Sequence, residues 1–321
     1  MTDKDIVIPI ITGPTASGKS AAALKLCEMT GGELVSCDSM QIYKGLDIGT
    51  AKATSDERAL IPHHMIDIIE PGEDYNVSMF VADCYSSIDG ILTKGKLPVL
   101  CGGTGQYISA LKDGLSFEED PLADEVTEKL YEQYRENGID DIYRRLVESD
   151  PESASKIHPN NTRRVIRALA VYEATGKTKT QRNIDSRKEG PRYNFMLFEI
   201  DYEDDRSILY DRINRRVDLM MDQGLEKEAR YLYSLPISRK STCCQAIGYK
   251  EFLPLIDNEP GSSLERTAYE IKLNTRHFAK RQLTWYKREP NVIMMDRREF
   301  EGDVNAMMEF MTEECKKRGL F

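Results

Sequence analysis

Gly13-Pro14-Thr15-Ala16-Ser17-Gly18-Lys19-Ser20 lies between an apolar run at 6–11 and a helical pattern at 21–29. Its glycine, lysine and serine spacing is that of a P-loop, and the flanking strand and helix patterns are the setting in which such a loop works. Backbone N–H groups turn inward around phosphate oxygens, the helix N-terminus adds partial positive charge, Lys19 adds a full charge, and the Ser20 hydroxyl can ligate magnesium. The stretch predicts a P-loop NTPase-like α/β core with a parallel sheet, holding a di- or triphosphate group. It does not say which phosphate ester is bound.

Working outward, Gly31-Gly32 breaks the first helix and 33–37 reads as a short strand ending at Asp38. Ligands of open α/β sheets collect at the C-terminal ends of strands. Asp38, followed by Ser39, Met40 and Gln41 and a loop bearing Gly45 and Gly49, is therefore a site candidate. The competing reading is an Asp that caps a turn or binds magnesium. A third strand is expected at 64–68, a helix at 76–93 and a fourth strand at 97–101. That strand runs into Gly102-Gly103-Thr104-Gly105, where an ATPase would carry its magnesium-holding Asp. A glycine-rich, phosphate-sized turn with a hydroxyl suits a leaving group better than phosphoryl transfer. Pro9 stands out, because proline is rare in a central parallel strand. His63 and His64 have only His158 and His277 for company, and read as a structural pair rather than metal ligands.

From 121 to 192 helical periodicity replaces strand signals, which predicts an all-helical insertion between a first core segment, 1–120, and a second, 193–321. The insertion carries Arg163, Arg164 and Arg167, of which the first and last share a helical face. A strand at 195–200 is followed by a helix with Arg212, Arg215 and Arg216, then by Gln245-Ala246-Ile247-Gly248-Tyr249-Lys250. A long helix over 263–286 ends in Arg276, Lys280, Arg281, Lys287 and Arg288, with Gln282, Trp285 and Tyr286 interleaved. Cations mixed with the only tryptophan suit phosphate contact and base stacking, although cations also favour any helix C-terminus. A last strand is expected at 292–296 and a helix at 304–316.

The 321 residues carry a formal charge of −10. That argues against indiscriminate nucleic-acid binding but leaves room for a local basic face. Seven cysteines without paired spacing predict reduced thiols rather than a disulfide framework. No apolar run is long enough to span a bilayer, so a soluble, cytoplasmic protein is expected; a monomer is the expected assembly.

Seven blocks resemble a known family: GPTASGKS at 13–20, DSMQIYKGLDIGTAK at 38–52, HHMIDI at 63–68, GGTGQYI at 102–108, IHPNNTRRVIRAL at 157–169, QAIGYKE at 245–251 and KRQLTWYK at 280–287. Together they are similar to the bacterial tRNA dimethylallyltransferases, over nearly the whole chain. The resemblance implies that the P-loop residues, Gly13 to Ser20, cradle the pyrophosphate of dimethylallyl diphosphate with magnesium on Ser20. It implies that Asp38 is the general base toward an adenine exocyclic amine, and that Thr104 and Arg216 meet the leaving pyrophosphate. It implies tRNA contacts, in the anticodon stem-loop, at Asp38, Ser39, Met40, Gln41, Thr104, Arg163, Arg164, Arg167, Gln245, Gly248, Tyr249, Lys250, Lys280, Arg281, Gln282, Trp285 and Lys287. Thr127 stands where many relatives carry a tRNA-contacting arginine, and the resemblance to bacterial members leads us to expect no zinc-finger extension of the kind eukaryotic relatives carry. Two other readings compete: an adenylate isopentenyltransferase acting on free AMP, and a small-molecule kinase or nucleotide switch, which the glycine turn at 102–105 disfavours.

Overall fold

The computed structural model describes residues 6–116, 121–202, 205–300 and 303–318. Six parallel strands form one sheet in the order β3-β2-β4-β1-β5-β6: β1 Val7–Thr12, β2 Glu33–Ser36, β3 His63–His64, β4 Pro98–Cys101, β5 Asn194–Asp201 and β6 Val292–Asp296. Residues on β1 alternate between two apolar layers, as a pleated strand covered on both faces requires. Ile11 faces a core with α1 (Lys19–Thr30), and Ile8 and Ile10 face the opposite one.

The helices follow from where the chain must cover these faces. After α1 come α2 (Ser55–Leu60), α3 (Val77–Thr93) and α4 (Gly105–Lys112); Phe80, Cys84, Ile88 and Ile91 of α3 and Tyr107, Ile108 and Leu111 of α4 build the core under Ile8 and Ile10. A separate compact unit, Asp113–Pro191, contains α5 (Pro121–Asn137), α6 (Asp140–Ser149), α7 (Pro151–Lys156), α8 (Thr162–Thr175) and α9 (Lys179–Asp185). Its core includes Leu130, Ile142, Leu146, Val165, Ile166 and Leu169. The other unit joins Met1–Lys112 to Arg192–Phe321. The anticipated division at 120/121 abuts 117–120, which lie outside the described residues. The sheet unit continues with α10 (Arg206–Gln223), α11 (Leu225–Ser234), α12 (Leu253–Ile256), α13 (Leu264–Tyr286) and α14 (Val304–Lys317). Met307, Met308, Met311 and Cys315 of α14 pack onto the layer that holds Ile11.

Two expectations need correction or completion. The third strand is two residues long and does not run on to 68, because Met65 (φ 62°) and Asp67 (φ 54°) are left-handed and cannot continue a strand. Asp67 there accepts hydrogen bonds from Lys52 Nζ (2.6 Å) and Arg58 Nη1 (2.6 Å), which hold the turn in place. Pro9 does sit in a central strand, but the ladder to β4 begins one residue later, at Ile10↔Leu100. All seven cysteines are free and buried. Among the described residues no helix is long and apolar enough to cross a membrane, and no cluster of His, Cys, Asp or Glu could hold a metal ion. His64 Nε2 instead lies 2.8 Å from Glu33 Oε2, and His63 Nδ1 lies 2.7 Å from the Ile61 carbonyl.

Candidate active site

The turn between β1 and α1 is built on left-handed backbone at Ala16 (φ 66°) and Gly18 (φ 100°). Gly18 precedes α1 with no side chain capping the helix, so the first N–H groups of α1 are left for a ligand. Ala16, Gly18, Lys19 and Ser20 line a pocket of about 320 Å³ with Arg212, Arg215, Arg216 and Leu219 of α10. Burial holds the Lys19 ammonium below its ordinary pKa, with Arg216 acting the same way and Cys101 and Asp38 opposing. Burial likewise lowers Arg216, with Asp38 opposing and Arg212 adding to the shift. Cations that burial and each other disfavour would be stabilised by a bound anion. Ser17 Oγ, fully buried and without a hydrogen-bond partner among the described residues, adds an unmet polar atom inside the same turn. The donor set, amides, cations and the exposed Ser20 hydroxyl, fits a phosphate group with a hard cation such as magnesium.

Asp38 follows β2 at the same edge of the sheet. Its Oδ1 accepts the Met40 N–H (2.8 Å), and among the described residues Oδ2 has no hydrogen-bond partner. Its charge favours the protonated forms of both Lys19 and Arg216, although Asp38 is not itself among the residues lining the pocket. The neighbouring turn at 102–105 supports that loop: Thr104 Oγ1 accepts the Ser39 N–H (3.0 Å), and Thr104 N–H donates to the Cys37 carbonyl (3.3 Å). Its glycines are close-approach points rather than a phosphate cradle, which corrects the expectation of a second phosphate-sized turn. A Cβ would lie 2.3 Å from the Cys37 oxygen at Gly102, 2.3 Å from Gln282 Nε2 at Gly103 and 2.7 Å from the Trp285 ring at Gly105.

The end of α13 splits into two faces. Gln282 is buried, accepting the Thr15 N–H on Oε1 (2.9 Å) and donating from Nε2 to the Gly103 carbonyl (2.8 Å). The buried Tyr286 hydroxyl donates to the Gly13 carbonyl (3.2 Å) and lies 2.6 Å from Thr12 Oγ1. Gln282 thereby joins the 13–15 and 102–104 turns, and Tyr286 fixes the start of the first. Lys280, Arg281 and Lys287, on the other face, are exposed. Gln282 is therefore corrected from a tRNA-contacting side chain to an internal brace, and Trp285 is half-buried against Gly105 and the edge of Tyr286.

Other expected contact residues divide the same way. Gln41 accepts Ser36 Oγ–H and donates to the Thr50 and Ala51 carbonyls, so its amide is committed to its own loop. Tyr249 is fully buried with its hydroxyl on Glu228 Oε1 (2.7 Å), and Gly248 is buried with its N–H on Glu251. Glu228 also takes the N–H groups of Asp47, Ile48 and Gly49, so Tyr249 and Glu228 brace the 47–49 turn. Those side chains are spoken for, and a nucleic acid could meet only the surfaces they support. Ser39, Met40 and Lys250 are part-exposed, Gln245 is exposed, and Arg163, Arg164 and Arg167 line the outward face of α8 opposite Val165, Ile166 and Leu169.

Sequence reading noted Arg212 and Tyr286 only as members of their helices, and missed Glu228 and Glu199 as parts of this region. Glu199 is in register with Thr12, and burial, reinforced by Asp201 and opposed by Lys287, pushes its carboxyl up to about 8. No local pattern marks these residues, because their partners lie far off in the chain.

This geometry has close counterparts. The family model described as IPP transferase matches residues 41–289, and one described as isopentenyl transferase matches 6–61. The tRNA dimethylallyltransferase of Acetivibrio thermocellus is 43% identical over 294 residues, covering 92% of this chain and 93% of its own. That of Oceanobacillus iheyensis is 46% identical over 293 residues, covering 90% of each. Among solved structures, the full-length tRNA isopentenylpyrophosphate transferase of Bacillus halodurans superposes with a TM-score of 0.70 at 36% identity, covering 98% of both chains. A eukaryotic dimethylallyltransferase acting on tRNA superposes with a TM-score of 0.74 at 31% identity, covering 87% of this chain and 69% of its own. With the family match spanning most of the sequence and relatives similar almost end to end, the chain belongs to the IPP transferase family.

Proposed function

We propose that this chain transfers a dimethylallyl group from dimethylallyl diphosphate to the exocyclic amine of the adenosine 3′ of a tRNA anticodon, releasing pyrophosphate. The observation that carries this reading is a carboxylate, Asp38, with one oxygen uncommitted among the described residues, whose charge acts on Lys19 and Arg216 of a pocket lined by four cations. The 13–20 loop acts as a P-loop for the donor diphosphate, through its amides, Lys19 and Arg216. Magnesium on Ser20, where bound, would neutralise part of the diphosphate charge.

An adenine amine is a weak nucleophile, because its lone pair is delocalised into the ring. As the nitrogen attacks the first prenyl carbon, a new C–N bond forms and the C–O bond to diphosphate breaks, with the electron pair leaving on oxygen. Asp38 accepts the proton that the amine loses, which is worth about 10²- to 10⁴-fold in rate. Lys19, Arg216 and the loop amides stabilise the charge growing on the leaving group. Thr104 contributes by fixing the Asp38 loop through Ser39. The target base has to leave its stack to reach Asp38. The 113–191 unit acts as the helical insertion, and its Arg163, Arg164 and Arg167, with Lys280, Arg281 and Lys287 of the sheet unit, meet tRNA phosphates.

Incubation with labelled dimethylallyl diphosphate and, in separate arms, unmodified tRNA or AMP tests the proposal. Label is expected in tRNA alone. Transfer to AMP with none to tRNA would replace this reading with the free-nucleotide one.

A further inference from the structure

We propose that Arg297 is a positioning residue for the donor diphosphate, holding the 13–20 loop in its anion-binding form from behind, with Arg212 as its companion. The inference rests on the reading of that loop as the donor site. Loop amides can face an anion only when the carbonyls between them face away, and outward carbonyls need donors of their own. The Ser17 carbonyl accepts Arg297 Nη1–H (3.0 Å), and the Ala16 carbonyl accepts Arg212 Nε–H (2.8 Å). Arg297 begins immediately after β6, where its own N–H donates to the Asp201 carbonyl at the end of β5 (3.0 Å). The guanidinium is thus launched from the sheet and reaches back to the loop.

Gly18 records how tightly this contact is built. A Cβ there would lie 2.2 Å from Arg297 Nη1 and 3.8 Å from Arg212 Nη2, so the guanidinium occupies the space that a side chain would need. Arg212 lines the pocket, whereas Arg297 does not, so Arg297 acts on the diphosphate through the loop rather than by touching it. The adjacent Arg298 turns the other way, onto Asp296 (2.6 Å). Arg297 also lies outside both spans that the family models match, 6–61 and 41–289, and no family motif points to it.

The test titrates pyrophosphate with magnesium into the full chain as the parent, Arg297→Ala, Arg297→Lys and Lys19→Ala, with donor kinetics, tRNA affinity and melting temperature measured in parallel. A charge-assisted bond of this kind predicts that Arg297→Ala weakens pyrophosphate binding and raises the donor KM by about tenfold or more. The value of kcat should fall less than the donor KM rises, because the loop amides meet the bound diphosphate in the ground state as well as its growing charge in the transition state. Binding of tRNA should be unchanged even where the unpartnered Ser17 carbonyl lowers the melting temperature slightly, and Arg297→Lys should recover part of the loss. A merely stabilising arginine would instead weaken both ligands together, which would overturn the proposal. So would parental pyrophosphate affinity in Arg297→Ala when Lys19→Ala has lost it. If Lys19→Ala itself binds pyrophosphate normally, the donor-site reading fails first and the clamp falls with it.

Discussion

The turn at 13–18, after β1, and the turn at 102–105, after β4, leave neighbouring strands at one edge of the sheet, and both are rich in glycine. In the first, the backbone encloses a space lined by Lys19, Ser20, Arg212, Arg215 and Arg216. In the second, the space is filled by the Cys37 backbone, the Gln282 amide and the Trp285 ring. Glycine permits close approach in each case, and the group that approaches decides whether the turn becomes a site or a joint. The joint in turn serves the site, since Thr104 holds the Asp38 loop and Gln282 ties both turns together.

The largest expected effect tests whether the joint exists to place Asp38. Asp38→Asn keeps the side-chain shape and its bond from Met40 but removes the proton acceptor, so turnover should fall about 10²- to 10⁴-fold. Pyrophosphate affinity should hardly move. Near-parental single-turnover rates would leave the braced loop without its catalytic purpose.

Next comes Gly102→Ala, whose Cβ would strike the backbone of Cys37. Overpacking against main chain should cost about 3 kcal/mol, read by urea unfolding. Full stability with pyrophosphate binding abolished would make the 102–105 turn the phosphate cradle instead. Gln282→Ala leaves the buried Gly103 carbonyl and the Thr15 amide without their partner, and should cost about 2 kcal/mol. Donor and tRNA kinetics would weaken together if Gln282 joins the turns, whereas loss of tRNA affinity alone would restore it as a contact residue.

The smallest effect concerns Glu199, next to Thr12 and beneath the 13–18 turn. Its carboxyl is raised to about 8, so between the unfolded value and that figure the folded chain binds more protons than the unfolded one. Stability therefore falls as pH rises through this window, by about 1–2 kcal/mol from about pH 6.5 to about pH 8.5. Glu199→Gln should flatten that part of a melting-temperature profile. An unchanged slope would move the titrating group elsewhere.

Much of this molecule was legible in residue order because its cause is local. The apolar runs of the strands, the helix at 77–93, the last strand at 292–296 and the 13–20 loop all depend on neighbours within a few positions. So did the division of α8 into an arginine face and an apolar face. The third strand was overextended, because nothing in the apolar look of 64–68 announces left-handed backbone at Met65 and Asp67.

The motif near the chain's end shows where local reading stops. Its composition marked 280–287 as important and its cations as outward, but treated Gln282 as one more nucleic-acid contact. Only the tertiary structure placed the Gln282 amide between Thr15 and Gly103, and the Tyr286 hydroxyl on Gly13, more than 170 positions away in every case. It alone brought Arg297 to Ser17 across 280 residues. Hydrogen bonds of that span leave no periodicity behind. Residue order thus determined which elements form and where the glycine-rich loop after β1 lies, while the placement of α13 and of the residue that follows β6 decided which polar groups brace that loop and which remain exposed.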